Sequence, residues 1–127
     1  MKDKISRIAD QILKGKSNIV FTGAGISTES GIPDYRSKGG LWDQFQPVYF
    51  DEFMHSQEKR IEYWKRKSEL YPDLIAAKPN PAHQAIATLF DRKLIQCVIT
   101  QNIDGLHQAA GVADDAVIEL HGNTLRV

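Results

Sequence analysis

Asn18-Ile19-Val20-Phe21 runs directly into Thr22-Gly23-Ala24-Gly25, a branched and aromatic stretch that ends in a glycine turn. Such a run is too short for a helix and too apolar for a surface strand, so it reads as a buried strand feeding a tight turn. Leu94 to Thr100 and Ala116 to Leu120 repeat the pattern. Helical signals lie between them. Asn80-Pro81 is a cap followed by proline at the first helical position, with Ala82, Ile86, Leu89 and Phe90 forming a stripe. Asp104 to Ala110 is a short helix closed by Gly111. Ahead of the first strand, Ile5, Ile8, Ala9, Ile12 and Leu13 recur at helical spacing up to Gly15. Strands alternating with helices predict an α/β fold: a Rossmann-like, doubly wound parallel sheet with helices on both faces.

One separation is too long for a simple strand–helix–strand unit. Phe21 and Leu94 stand 73 positions apart, where about 30 suffice. An insertion follows the first strand. Residues 31–46 are rich in Gly, Pro, Ser and charge and predict a mobile loop ending in the Leu41-Trp42 apolar plug. Helical sequence fills about 49–71, and Gln57 to Leu70 predicts a helix with Ile61 and Trp64 turned inward.

Charge and cysteine content narrow the partners. The 127 residues carry 16 Lys and Arg against 16 Asp and Glu, which argues against a general nucleic-acid or anionic-membrane binder. No stretch approaches the roughly 20 apolar residues of a membrane helix. The lone Cys97 forms no internal disulfide, and a soluble protein of the reducing cytoplasm is the expectation.

The polar residues at the strand ends carry the chemistry. Gly23-Ala24-Gly25-Ile26-Ser27-Thr28 begins like a dinucleotide fingerprint, with Thr28 where a third glycine would stand; it either approaches a pyrophosphate or only turns the chain. A phosphotransferase is disfavoured, because the turn lacks a Lys-Ser/Thr ending. In the following loop, Asp34, Tyr35 and Arg36 supply a carboxylate, a ring that can wall off a reacting sugar, and a guanidinium that can hold diphosphate; the alternative is a polar surface loop. Gln101, Asn102, Ile103 and Asp104 follow the second strand at the carboxyl end of the sheet, where such folds bind ligands. Asp104 is either a carboxamide contact or a helix cap. His121 ends the third strand as a general base or a structural histidine, while His55, His83 and His107 read as structural.

Four blocks, Gly23 to Ser27, Gly31 to Ser37, Thr100 to His107 and Glu119 to Asn123, together resemble the sirtuins, NAD-dependent protein deacylases. The resemblance implies NAD as cofactor and an acylated lysine protein or peptide as substrate. It implies NAD contacts from Gly23, Ala24, Gly25, Ser27, Thr28, Asp34, Tyr35 and Arg36, with Tyr35 in place of the usual Phe. Gln101, Ile103 and Asp104 would line the nicotinamide pocket, and Asn102 would order water and ribose. In that chemistry the acyl oxygen attacks the nicotinamide ribose, His121 acts as base on a ribose hydroxyl, and water completes transfer to free lysine and acyl-ADP-ribose.

Tyr63 and Arg66, three apart on one helix face, look like the tyrosine and arginine pair of sirtuins that remove succinyl or malonyl groups; the alternative is a solvated basic helix, since Glu58 to Lys67 holds five basic and two acidic residues. The family also carries a zinc module held by two cysteine pairs, and neither those ligands nor the later strands of the sheet occur before Val127. The expectation is a partial NAD-binding domain in which no metal is held, with a sheet edge open to self-association. Two functional readings follow: a deacylase whose other half is supplied by a longer chain or a partner, and an inactive fragment that binds NAD or ADP-ribose or serves as an interaction module. For these 127 residues alone, no deacylation is expected.

Overall fold

The computed structural model describes residues 1–126, except the side chains of Lys2 and Trp42. Three parallel strands form its sheet: β1 (Ile19–Thr22), β2 (Cys97–Thr100) and β3 (Val117–Glu119), in the order β1-β2-β3. The register pairs Val20 with Val98 and Thr22 with Thr100 on one side of β2, and Val98 with Val117 on the other. Alternation along a strand sends every second side chain to the same face. Val20, Val98 and Val117 therefore share one face, and they pack there with Ile86, Leu89 and Phe90 of α5 (Pro81–Asp91) and with Ile95 and Val112. Val98 is completely buried, a burial that contributes about 1.5–3 kcal/mol.

The predicted elements form with shifted ends. β2 starts at Cys97 rather than Leu94, because Ile95 turns into the core while Gln96 N–H bonds Asn18 O ahead of the ladder. Helix α1 (Lys2–Lys14) ends at Gly15 as expected, yet its Ile5, Ile8 and Leu13 are exposed. The expected helix from Asp104 begins two residues later as α6 (Leu106–Ala110), after Gly105 at φ 68°. Gly111, at φ 117°, closes it. Cover by α5 lies on the Val20–Val98–Val117 face, whereas Ile19, Phe21 and Ile118 on the opposite face are largely exposed.

Between β1 and α5 stand a 3₁₀ turn (Ala24–Ser30), α2 (Leu41–Gln44), α3 (Phe50–His55) and α4 (Gln57–Ala76). The inward face of α4 differs from expectation. Ile61 and Trp64 are 61% and 62% exposed, and the side turned to the protein carries Tyr63, Arg66, Lys67, Leu70 and Leu74 instead. No helix among the described residues is long and apolar enough to cross a membrane.

Asn80 joins this insertion to the core. Its Oδ1 accepts from Ala82 N–H at 2.9 Å and His83 N–H at 3.4 Å, capping α5. Its Nδ2 donates to Ile26 O at 2.7 Å and Ser30 Oγ at 3.1 Å, so one buried amide fastens the helix to the glycine turn. Asn80→Ala should lower stability by about 2 kcal/mol, the upper end for a lost cap. Urea unfolding measures it, and a change below about 0.5 kcal/mol would show that the amide fastens nothing.

Candidate active site

Because the strands are parallel, their carboxyl ends lie at one edge of the sheet, and the segments that follow each strand meet there. A cavity of about 270 Å³ opens at this edge. Ala24 and Ser27 of the turn, Tyr35 of the loop, Gln101 to Asp104 after β2, and Tyr63 and Arg66 of α4 all line it. Ile32, Pro33, Phe45, Leu70 and Leu74 supply apolar walls, the composition expected of a small-molecule site.

Ser27 is the hub of a buried network beneath the cavity. Its Oγ–H donates to Asp104 Oδ2 at 2.7 Å, while its oxygen faces His83 Nε2 at 3.4 Å and accepts from Asn102 Nδ2 at 3.3 Å. The tautomer of His83 follows from a backbone donor. Asn80 N–H can only donate, and it lies 3.2 Å from His83 Nδ1; the imidazole proton therefore sits on Nε2, toward Ser27. One donor and two acceptor sites are all a serine hydroxyl has, and all three are engaged. Asp104 Oδ1 accepts from Leu106 N–H at 3.0 Å, so this carboxylate caps the start of α6 and lines the cavity as well.

A second chain of bonds runs below the first. Thr22 Oγ1 donates to Thr100 Oγ1 at 2.8 Å and lies 2.8 Å from His107 Nε2, and Thr100 Oγ1 accepts from Asn102 N–H at 3.0 Å. Asn102 Nδ2 also reaches Gly23 O at 3.0 Å. These bonds tie the ends of β1 and β2 to α6. His83 and His107, both buried, stand with ring centroids 5.2 Å apart. His107 Nδ1 has no hydrogen-bond partner among the described residues.

The remaining sequence-predicted residues take other positions. Gly23 and Gly25 border open space: a Cβ built on either meets nothing within 4 Å. Thr28 turns back to Gly25 O at 3.0 Å. Asp34 is engaged inside its own loop, accepting from Ser37 N–H at 3.1 Å and from Ser37 Oγ. Gly40 is required beside it, since a Cβ there would stand 2.6 Å from Asp34 O. Arg36 is exposed, as is His121, which follows β3 at the same sheet edge without lining the cavity. Arg66 is held by Glu62 and Gln46 O and stacks over the Phe45 ring at 5.1 Å. His83 and His107 are the site-supporting residues that sequence reasoning assigned no function; the available signal was His83 three residues after its cap Asn80.

Known proteins resemble this chain in sequence and fold. The Sir2 family model matches residues 23–127. This chain belongs to the Sir2 family. An NAD-dependent protein deacetylase of Thermodesulfovibrio yellowstonii is 55% identical over 121 residues, covering 95% of this chain and 46% of that protein. NAD-dependent protein deacylase 2 of Archaeoglobus fulgidus is 44% identical, covering 97% and 47%. A solved Sir2 variant with a deacetylated p53 peptide and 3′-O-acetyl ADP ribose superposes with a TM-score of 0.82 at 41% identity, covering 94% of this chain and 47% of that one. A Sir2 homologue with ADP ribose gives 0.78 at 38%, covering 92% and 46%. The chain thus spans about half the length of the curated relatives it matches.

Burial sets the protonation of this Sir2 site. Desolvation lowers the pKa of His83, opposed by Asp104. Desolvation and then the neighbouring His83 lower that of His107, again opposed by Asp104. Burial raises the Tyr35 phenol, helped by Tyr63 and Asp104. The unfolded chain protonates both imidazoles as pH falls through about 6.5, while the folded chain resists. Stability is therefore full above that pH and is lost as pH falls toward the lowered folded values. The thermal midpoint should drop between pH 7 and pH 5, and His83→Asn, whose amide oxygen can still accept from Asn80 N–H, should flatten the drop. Equal slopes for the two proteins would show that His83 does not titrate on unfolding.

Proposed function

We propose that this chain carries the nicotinamide-riboside half of the active site of an NAD-dependent protein lysine deacylase, a transferase that moves an acyl group from lysine to ADP-ribose in the cytoplasm. The observation that carries the reading is the Asp104 carboxylate, buried at the cavity beside an open glycine turn and pinned by Ser27 and Leu106. The donor set fits the group. A carboxylate accepts from a carboxamide NH₂, apolar walls suit a pyridine ring, and the space beside Gly23 and Gly25 admits phosphate to the backbone. Bound NAD would supply an electrophilic ribose carbon and a leaving nicotinamide.

This chain's residues would then do the following. Asp104 and the Ile103 backbone region orient the carboxamide, and Gln101 and Asn102 hold the ribose side. Gly23, Ala24, Gly25, Ser27 and Thr28 form the turn under the phosphates. Tyr35, at the cavity mouth, and Arg36 belong to a cofactor loop over about 31–46; Tyr35 excludes water, and Asp34 keeps the loop folded through Ser37. His121 takes the proton of a ribose hydroxyl as general base. The helical segment over about 49–71 brings Tyr63 and Arg66 to the acyl end. Because Arg66 is engaged by Glu62, a carboxylate-bearing acyl group must displace that partner to reach the guanidinium.

A chimera tests the reading: these 127 residues replace the matching segment of the Thermodesulfovibrio yellowstonii deacetylase. It should remove acetyl groups from a lysine peptide only with NAD, and His121→Ala should lower the rate by about 100-fold or more. A chimera that binds ADP-ribose yet leaves acetyl-lysine intact would favour the inactive binding module. In the active chimera, Arg66→Met should impair removal of succinyl more than of acetyl groups, and equal losses on both peptides would reject Tyr63 and Arg66 as an acyl-carboxylate pair.

A further inference from the structure

His107 is 1% exposed, and no step of the proposed reaction uses it. It stands in the first turn of α6, next to Leu106, whose N–H is held by Asp104 Oδ1. The one hydroxyl hydrogen of Thr22 goes to Thr100 Oγ1, so the 2.8 Å contact between Thr22 Oγ1 and His107 Nε2 takes its proton from the ring. The imidazole is therefore the Nε2–H tautomer, and its Nδ1 is a buried lone pair with no donor among the described residues. A bare buried acceptor is costly, and leucine would fill similar space without that cost. What the imidazole adds is one donor. It starts a line of bonds: His107 Nε2–H to Thr22, Thr22 to Thr100, and Asn102 N–H into Thr100 at 3.0 Å. Asn102 is the member of that line that lines the cavity. Its amide nitrogen is committed to Gly23 O at 3.0 Å and Ser27 Oγ at 3.3 Å, so Oδ1 is what it can offer a ligand.

We propose that His107 is a positioning residue: its Nε2–H locks the Thr22–Thr100 hydroxyl pair, and the locked pair sets the Asn102 peptide so that Oδ1 meets the ribose. The ring touches no ligand and acts only through Thr22, Thr100 and Asn102. The same contact fastens α6 to the end of β1, and Asp104 caps the start of α6. Asn102 and Asp104 therefore share one reference point, and without the donor each is free to drift from the other. Small misplacements of this kind slow a reaction that depends on orientation. The catalytic consequence rests on the deacylase reading, whereas the line of bonds from His107 to Asn102 does not.

Two variants separate the donor from the bulk of the ring: His107→Gln keeps an N–H where Nε2 stands, and His107→Leu fills the space without one. In the 127-residue chain, nitrogen-15 spectra should place the His107 proton on Nε2. Amide exchange at Asn102 should quicken about tenfold or more in His107→Leu and stay within about threefold in His107→Gln, with circular dichroism verifying that each variant is folded. In the chimera, His107→Leu should lower kcat for deacetylation about tenfold or more while the KM for NAD moves less than about threefold, and His107→Gln should recover most of the rate. Thr22→Val should reproduce the loss, and the double variant Thr22→Val with His107→Leu should lose no more than either alone. A proton on Nδ1, Asn102 exchange indifferent to His107→Leu, or equal losses for Leu and Gln overturns the proposal. So does a loss carried by KM alone, or a double variant whose loss is the product of the two single losses. A chimera without deacylase activity, beside the expected tautomer and exchange pattern, would leave the positioning of Asn102 intact and count against the deacylase reading alone.

Discussion

The register of β1 on β2 is the constraint on which the rest of the molecule depends. Thr22 and Thr100 are 78 residues apart in sequence and share a hydrogen bond at the carboxyl ends of their strands. The glycine turn and the Gln101–Asp104 corner begin immediately beyond them, so no other pairing brings those segments together. A slip of one residue would turn Thr22 to the opposite face and Val20 out of the core. The network resists that slip. His107 Nε2 and Thr100 Oγ1 would each lose Thr22, and each stranded buried group costs about 1–3 kcal/mol.

Above the strand ends, the same economy of partners fixes the side chains that face the cavity. Ser27 has no spare donor or acceptor once Asp104, His83 and Asn102 are bound. A carboxylate held by a saturated hydroxyl on one oxygen and by a helix N–H on the other cannot swing away without leaving both unpaired. The corner is therefore ordered before any ligand arrives, which is the condition for charge and dipoles to act without reorganising. His83 serves at one remove: its tautomer, set by Asn80 N–H, decides which way Ser27 turns its proton.

Sequence periodicity made the sheet legible because buried parallel strands are continuous apolar runs, and the turn residues after each run marked the ligand-binding edge. The face of α4 was not legible. Ile61 and Trp64 are the more apolar residues and so looked inward, yet the helix presents Tyr63, Arg66, Lys67 and Leu70 to the cavity. Long amphipathic side chains wall the cavity with their stems, and a hydrophobicity count cannot see this. His83 and His107 escaped for a different reason. Their partners Ser27 and Thr22 lie 56 and 85 positions away, and beyond the placement of His83 three residues after Asn80 nothing local marks a histidine that completes such a network. Asp34 shows the converse. Its position beside Tyr35 and Arg36 pointed toward ligand, and nothing in the sequence showed that it also bonds Ser37 within its own loop.

The ordered corner and the open sheet face are compatible because they lie on opposite sides of the same three strands. Thr22, Val98 and Thr100 point toward α5 and α6, where the polar network and the core are continuous. Ile19, Phe21 and Ile118 point away and contribute to neither. Covering that second face would add apolar burial to the sheet without altering any bond among Ser27, Asp104 and Asn102. The corner's geometry belongs to this chain's own contacts.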